Sequence, residues 1–241
     1  MSSLNSVGLV FFATLLLRPS LVAAQSPGNV NGSVKLQTAA NGTARAQGFL
    51  APAANPFIAP RNTSIFDEII VVLDGRTPGP GATQPPAQAV PFKLLGESFE
   101  RAVLPVVVGS KVAIKNAGPK SPALTSPTNP KLLPGVPVNP GERKNVNISD
   151  AEKPVVIRDP ESAHITARII GFKHSHFSTV GPNGSFSIKN VPAGSWKIRL
   201  WYRDRWLEKP SASVLVKPGT QSKATVFLKA NHLAAATKGK K

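Results

Sequence analysis

Residues 184–202 have the sequence Gly-Ser-Phe-Ser-Ile-Lys-Asn-Val-Pro-Ala-Gly-Ser-Trp-Lys-Ile-Arg-Leu-Trp-Tyr, which contains two alternating runs. Apolar and polar residues alternate over 184–190 and again over 195–202, which is the period of a half-buried strand. A proline and a glycine within 191–194 interrupt this alternation and indicate a turn. The stretch therefore predicts a hairpin of two strands. Its register is strongly specified, because a slip of one residue would bury three cations.

The second of these strands has one apolar face and one basic face. Its basic face carries an indole among cationic side chains, an arrangement that suits an anionic sugar or a base. If the strand continues to residue 205, and if Trp206 adds a second aromatic surface, the candidate ligand-binding residues are Lys197, Arg199, Trp201, Arg203, Arg205 and Trp206. The alternative is that Trp201 packs against a neighbouring sheet and the cations are simply solvated.

The rest of the sequence predicts an all-β protein. It contains 24 prolines in 241 residues, roughly twice the usual share, which disfavours long helices. Short strand candidates separated by turns favour a β-sandwich. Further predicted strands cover residues 30–36, 65–73, 92–95, 101–108, 111–115, 144–148, 154–157, 165–172, 212–216 and 224–229. The continuous apolar end of 65–73 indicates a strand covered on both faces, and Pro105 indicates that 101–108 is an edge or bulged strand.

The charge balance and the first residues predict an exported protein with an anionic partner. The formal net charge is +17, which favours association with nucleic acid, acidic glycans, anionic lipid or an acidic protein. Residues 1–24 resemble a signal peptide, whose apolar run is too short for a typical membrane span. No later stretch is apolar enough to span a bilayer, so we expect a periplasmic or secreted protein. Since the sequence has no cysteine, its stability must come from burial and not from disulfides.

Two stretches, 99–116 (Phe-Glu-Arg-Ala-Val-Leu-Pro-Val-Val-Val-Gly-Ser-Lys-Val-Ala-Ile-Lys-Asn) and 184–202, carry a family resemblance. Together they resemble exported cupredoxin-like (plastocyanin-like) proteins that are often labelled methylamine utilization proteins. The second stretch also resembles carboxypeptidase regulatory-like and carbohydrate-binding-like modules. The resemblance implies a Greek-key β-sandwich of cupredoxin-like type with an additional regulatory-like β-module.

The copper ligands of that family are missing from this sequence. Where the family has a histidine after Asn116, the chain has Lys-Ser-Pro-Ala at 120–123. The family's Cys-x-x-His-x-x-Met segment falls on Asp159, Ser162 and Ile165. A type 1 copper site needs a thiolate with two imidazoles. Without cysteine, blue-copper electron transfer is excluded, and we predict no cofactor.

Two further groups of residues have side chains that could bind a metal ion or catalyse a reaction. His174 and His176 are two residues apart and would share one face of a strand, with His164 or Asp159 as a third metal ligand. The alternative is that they are solvated surface histidines. Asp159 and Glu161 could be the paired carboxylates of a glycoside hydrolase, but an acidic pair in a turn gives the same pattern. No nucleophile, phosphate-loop or metalloprotease motif is present, and no specific nucleic-acid motif, so we expect a protein that is not an enzyme.

These observations predict an exported, non-catalytic binding or scaffold protein of the cell envelope whose basic surface recruits an anionic partner. Two alternatives remain open: a carbohydrate-binding module that uses Trp201 and Trp206, and a divergent copper or other metal carrier that uses His174 and His176. The predicted division is a signal peptide (1–24), a low-order arm (25–64), a strand plus Pro-rich linker (65–91), the cupredoxin-like sandwich (92–180), the regulatory-like module (181–230) and a basic tail (231–241). Alternatively, residues 30–36 and 65–73 complete the sheet that contains 184–202.

Overall fold

The structure, a computed structural model, describes residues 26–37, 64–75, 79 and 81–234. The predicted signal peptide, residues 38–63 of the predicted arm and the lysine-rich tail from residue 235 lie outside these ranges. In the described part, the helices are a 3₁₀ helix, Ile65–Glu68, and a five-residue α-helix, α1 (Ala230–Ala234). Neither has the length and apolar character needed to cross a membrane.

Strands form most of the described chain, which confirms the predicted all-β sandwich. In chain order they are β1 (Gly28–Gln37), β2 (Ile69–Asp74), β3 (Val90–Leu94), β4 (Val103–Val107), β5 (Lys111–Asn116), β6 (Ala123–Thr125), β7 (Pro134–Pro137), β8 (Arg143–Asn147), β9 (Val155–Arg158), β10 (Thr166–Phe172), β11 (Phe177–Thr179), β12 (Ser185–Val191), β13 (Gly194–Tyr202), β14 (Arg205–Trp206), β15 (Ala212–Val216) and β16 (Gln221–Lys229).

Two sandwiches are built from these strands. In the terminal sandwich, the sheet β12-β1-β16 faces the sheet β11-β2-β13-β14, in which β15 also pairs with β13. In the central sandwich, residues 90–172, the sheet β3-β5-β8 faces the sheet β4-β10-β9-β6-β7. Each sandwich has its own buried core, one around Trp196 and the other around the stacked rings of Phe92 and Phe99, whose centroids are 4.8 Å apart.

A third buried cluster joins the two sandwiches back to back, so that the described chain forms four layers. Its main members are Ile70, Val72, Trp201, Ile170 and Phe172, which come from the outer faces of β2, β13 and β10. Strand β2 is therefore buried on both faces, as the apolar run at the end of 65–73 predicted. The first part of that predicted strand is instead the 3₁₀ helix, whose first turn is held by the Ser64 hydroxyl accepting from the Phe66 N–H at 3.3 Å.

The predicted hairpin at 184–202 is wrong, because β12 and β13 lie in opposite sheets of the terminal sandwich. Strand β12 pairs with β1, and β13 pairs with β2 and β15. Phe186 and Ile188 face Trp196 and Ile198 across the core. Alternation of apolar and polar residues indicates which side chains of a strand are buried. The same alternation is expected whether two strands are neighbours in one sheet or lie in two sheets that face each other. At the bend, the Trp196 indole N–H donates to the Pro192 carbonyl at 2.8 Å.

The strand pairing supports the alternative in which residues 30–36 and 65–73 complete the sheet structure that contains 184–202. Strand β1 runs parallel to β16 and antiparallel to β12, and β2 runs antiparallel to β13. The chain thus enters the terminal sandwich, forms the central sandwich and returns, so the sheets do not follow the predicted division at residue 181. The region 117–140, in which no strand was predicted, contains the short strands β6 and β7. Strand β4, which contains Pro105, is an edge strand of its sheet, as expected.

Candidate functional site

The basic face predicted along β13 ends sooner than the sequence indicated. Strand β13 stops at Tyr202, and β14 turns back so that Trp206 pairs with Trp201 and Arg205 with Tyr202. Arg203 occupies the turn with a φ of 57°. The strand therefore does not continue to residue 205, which was the condition for placing Arg203 and Arg205 on the same face as Lys197. The reversal moves both arginines to the end of the sandwich: at about 3.3 Å per residue, Arg203 lies about 20 Å and Arg205 about 17 Å along the strand from Lys197.

Neither tryptophan of the predicted face is a free stacking surface. Trp201 is 2% exposed and packs with its edge against Phe172, at 6.0 Å between ring centroids. Trp206 is half-buried, and the Arg199 guanidinium lies 4.0 Å above its ring. The Trp206 indole N–H donates to Glu152 at 2.9 Å. The structure thus places Trp201 against the neighbouring sheet, as the alternative interpretation proposed.

A cleft of about 800 Å³ opens where the two sandwiches meet. The central sandwich contributes the segments around residues 128–132 and 147–156 together with Arg168. The terminal sandwich contributes the turn from Arg203 to Arg205. Sequence reasoning found Arg203 and Arg205, but it missed Lys153 and Arg168, because no sequence pattern relates them to the turn.

Most charges around this cleft are already paired. Arg203 donates from Nε to Glu68 at 2.7 Å, and Arg168 lies 3.5 Å from the other Glu68 oxygen. This hydrogen bond with Glu68 raises the pKa of Arg203. On the opposite wall, Lys153 lies 3.6 Å from Asp150.

Arg205 forms a looser ion pair than Lys153, Arg168 and Arg203 do. Its Nε is buried and finds no hydrogen-bond partner among the described residues. The nearest acid, Asp204, is 3.9 Å away, beyond hydrogen-bond distance, and the Arg205 side chain is 39% exposed. The exposed part of the guanidinium group can still donate N–H groups to a carboxylate or a phosphate.

His164 precedes β10 and lies apart from His174 and His176, which follow that strand of about 20 Å. Its Nε2 is 3.7 Å from Glu97, which also binds Lys120 at 2.6 Å. The hydrogen bond from Lys120 lowers the pKa of Glu97, with a smaller contribution from His164. These loops carry the positions where the resemblance places copper ligands. Beside His164, buried Asp159 accepts from the Glu161 N–H at 3.1 Å, which is turn geometry.

His174 and His176 lie in the bend between β10 and β11, not on a strand as predicted, and their ring centroids are 5.5 Å apart. His176 is 2% exposed, its ring nitrogens have no hydrogen-bond partner in the described part, and burial lowers its pKa to about 4. Burial also lowers the pKa of His174, an effect that Asp74 opposes. No group of three or more metal-ligating side chains (His, Cys, Asp or Glu) occurs among the described residues, so the expected third ligand is not seen there.

Comparison with known proteins finds partial similarity to solved structures, at low sequence identity and low TM-score. No protein-family model and no curated protein matches the chain. A copper(I) form of an amicyanin mutant is similar at 12% identity with a TM-score of 0.30, over 42% of this chain and 97% of that chain. The oxidised form of a second amicyanin mutant is similar at 13% identity with a TM-score of 0.31. The reduced form of a third is similar at 11% identity with a TM-score of 0.29, and both matches cover 42% of this chain and 97% of the other chain.

Proposed function

We propose that this protein is an exported binding protein, not an enzyme, that holds an acidic saccharide in the cleft between its two sandwiches. The observation that carries the proposal is Arg205, which lines the cleft, lies 3.9 Å from Asp204 and keeps 39% of its side chain exposed. An arginine fork binds a carboxylate through two parallel hydrogen bonds, which gives geometric selectivity as well as attraction.

The cleft has the size and the polar groups for such a ligand. Its volume of about 800 Å³ lies within the usual range of small-molecule sites. Thr128, Asn129, Asn147 and Ser149 line it and offer donors and acceptors to sugar hydroxyl groups. None of its described lining residues is aromatic, so a nucleobase would find no ring on which to stack. These features favour a hydroxylated acid over a nucleotide.

Two finer parts of the proposal come from the sequence. We propose that the central sandwich is of cupredoxin-like type and that the terminal sandwich corresponds to the regulatory-like module, on the resemblance of residues 99–116 and 184–202. The signal-like residues 1–24 support export to the periplasm or beyond. The net charge of +17 would concentrate acidic ligands near the surface.

Titration calorimetry with digalacturonate tests this function. We expect wild-type protein to bind it, neutral digalactose to bind at least about tenfold more weakly, and Arg205→Gln to lose about tenfold in affinity, the value of one charge-assisted bond. Lys197→Gln is the matched control, because it removes one exposed cation of the same sheet away from the cleft. Equal affinity for the neutral sugar, or an equal loss in both variants, would refute the proposal.

A second candidate function is carriage of a transition-metal ion by His174 and His176. It is favoured by the unpartnered ring nitrogens of buried His176, since metal ions bind the neutral imidazole. Metal analysis of protein purified without added metal tests it. A stoichiometric ion that is lost in His174→Ala supports carriage, and protein free of transition metal that also fails to take up added Zn²⁺ or Cu²⁺ contradicts it.

A further inference from the structure

The outer face of the sheet β3-β5-β8 carries a row of cations that the sequence pattern did not reveal. Lys93 on β3 is directly opposite Lys115 on β5, and Lys115 is directly opposite Arg143 on β8. Neighbouring strands are about 4.8 Å apart, so three positive charges lie within about 10 Å across the sheet. Lys111, four residues before Lys115, points to the same side of β5. We call the outer surface of these three strands the basic face.

The cations of the basic face are not neutralised by acidic side chains of the described chain. Among the described ranges, no acid lies within ion-pair distance of Lys93, Lys111, Lys115 or Arg143. Glu100, at the edge beside β3, accepts from the Lys93 backbone N–H at 3.4 Å. Like charges directly opposite each other destabilise a sheet, so this row costs stability unless an anion compensates it.

The basic face is continuous with the cleft. Asn147 pairs with Lys111 at the end of β8 and also lines the cleft. From Asn147 the strand leads back to Arg143, about 13 Å away over four residues. The side chain of Asn145 alternates onto the same exposed face between them. A chain that leaves the cleft beside Asn147 can therefore follow β8 onto the row of cations.

We infer that the basic face binds the further sugar units of a linear acidic polysaccharide whose end occupies the cleft, an inference that rests on the proposed function of the cleft. A polyuronate carries one carboxylate on each ring, which matches a surface of repeated cations. The amides of Asn145 and Asn147 can bind hydroxyl groups between those charges. The eight positions of this face, Pro91, Lys93, Lys111, Ala113, Lys115, Arg143, Asn145 and Asn147, include no aromatic residue that would stack on a base.

A length series of galacturonate oligomers tests the inference. The test variant is the triple substitution Lys93→Gln, Lys115→Gln and Arg143→Gln. Its matched control is Lys189→Gln, Lys217→Gln and Lys223→Gln, which removes the same net charge from exposed positions of the terminal sandwich. For wild type we expect affinity to rise at least about tenfold from the dimer to the decamer, since further charge-assisted contacts form.

The test variant should lose that gain and keep the affinity of wild type for the dimer, and its decamer affinity should depend less steeply on salt. The control variant should bind both oligomers as wild type does. No gain with length, or an equal loss in both triple variants, overturns the inference. Double-stranded DNA binding at least as tightly as the decamer at the same salt concentration also overturns it, because the face would then recognise phosphate charge without regard to the sugar acid.

The two proposals fail in different ways. If digalacturonate binds through Arg205 but the decamer binds no more tightly, the cleft remains a site and the basic face is not part of it. If Arg205→Gln leaves both oligomers unaffected while the triple variant still weakens the decamer, the basic face binds polyuronate and the proposed function of the cleft is wrong.

Discussion

Glu68 accepts a 2.7 Å hydrogen bond from the Nε of Arg203, and the same carboxylate lies 3.5 Å from Arg168 across the junction between the sandwiches. Glu68 ends the 3₁₀ helix before β2, Arg203 occupies the turn after β13, and Arg168 lies on β10 of the central sandwich. One carboxylate therefore links both sandwiches to the turn that forms a wall of the cleft. Its side chain is only 20% exposed, so solvent screens these contacts less than it screens a surface pair.

Substituting Glu68→Gln should lower the free energy of unfolding by about 1–3 kcal/mol, because two cations lose the partly buried negative charge that they share. Urea denaturation checks this value. Glu97→Gln is the control, since Glu97 is 56% exposed and solvent screens its ion pairs, so its loss should be much smaller. A loss for Glu97→Gln as large as that for Glu68→Gln would show that Glu68 has no special structural role.

Buried His176 should make the stability depend on pH. Its pKa is about 4 in the folded protein against 6.5 for the free side chain, because burial disfavours the charged ring. The unfolded chain therefore binds the proton more readily. The free energy of unfolding should be fully present above about pH 6.5 and fall as the pH decreases toward 4, by about 2 kcal/mol between pH 7 and pH 5.

Comparing urea midpoints at pH 7 and pH 5 measures this effect. His176→Phe should lose most of the difference, and exposed His164→Gln should keep it. Burial also lowers the pKa of His174, although Asp74 opposes this effect, so His174 likewise makes the protein less stable at low pH. A small dependence of stability on pH should therefore remain in His176→Phe. An unchanged slope in that variant would contradict the assignment.

The sequence predicted which side chains are buried better than it predicted which strands are neighbours. The apolar run at the end of 65–73 indicated cover on both faces, and β2 has it, because burial depends on the composition of each strand. The hairpin at 184–202 was wrong because a hairpin and a bend between facing sheets require the same alternation. Pairing β1 with β16 joins residues about 190 positions apart, and no local pattern encodes that contact.

The candidate site was predictable only in part for the same reason. Arg203 and Arg205 were found because they follow an alternating strand, but the turn that separates them from Lys197 depends on a positive φ at Arg203, where glycine or asparagine is usual. Arg168 and Lys153 come from the other sandwich. Lys93, Lys115 and Arg143 form a row only because three strands with distant sequence positions share a register. Single-strand patterns contain no information on such registers.

Gly32 provides a test of whether β1 is part of the folded core. A Cβ at this position would collide with the Ala224 carbonyl oxygen on β16 and with the ring of Phe186 on β12. Gly32→Ala should therefore lower the free energy of unfolding by about 2–3 kcal/mol through forced movement of neighbouring strands. Gly141→Ala is the control: it has open space around it and a φ of 79°, so only the backbone strain of about 1 kcal/mol applies. If Gly32→Ala were the milder of the two in thermal unfolding, β1 would not pack as described.

Substitutions of Trp201 test whether this residue stabilises the fold or stacks on a bound sugar. Because it is 2% exposed between the sandwiches, Trp201→Ala should lower the free energy of unfolding by about 3–5 kcal/mol, the cost of a large cavity, and Trp201→Phe by much less. Calorimetry measures both, and digalacturonate titration of the Phe variant measures binding. We expect the Phe variant to bind as wild type does, since the ring contacts Phe172 and Trp206 and does not line the cleft. If the Phe variant had normal stability and no affinity for the sugar, Trp201 would be a binding residue. The two sandwiches would then have to separate in solution, because its ring is buried between them.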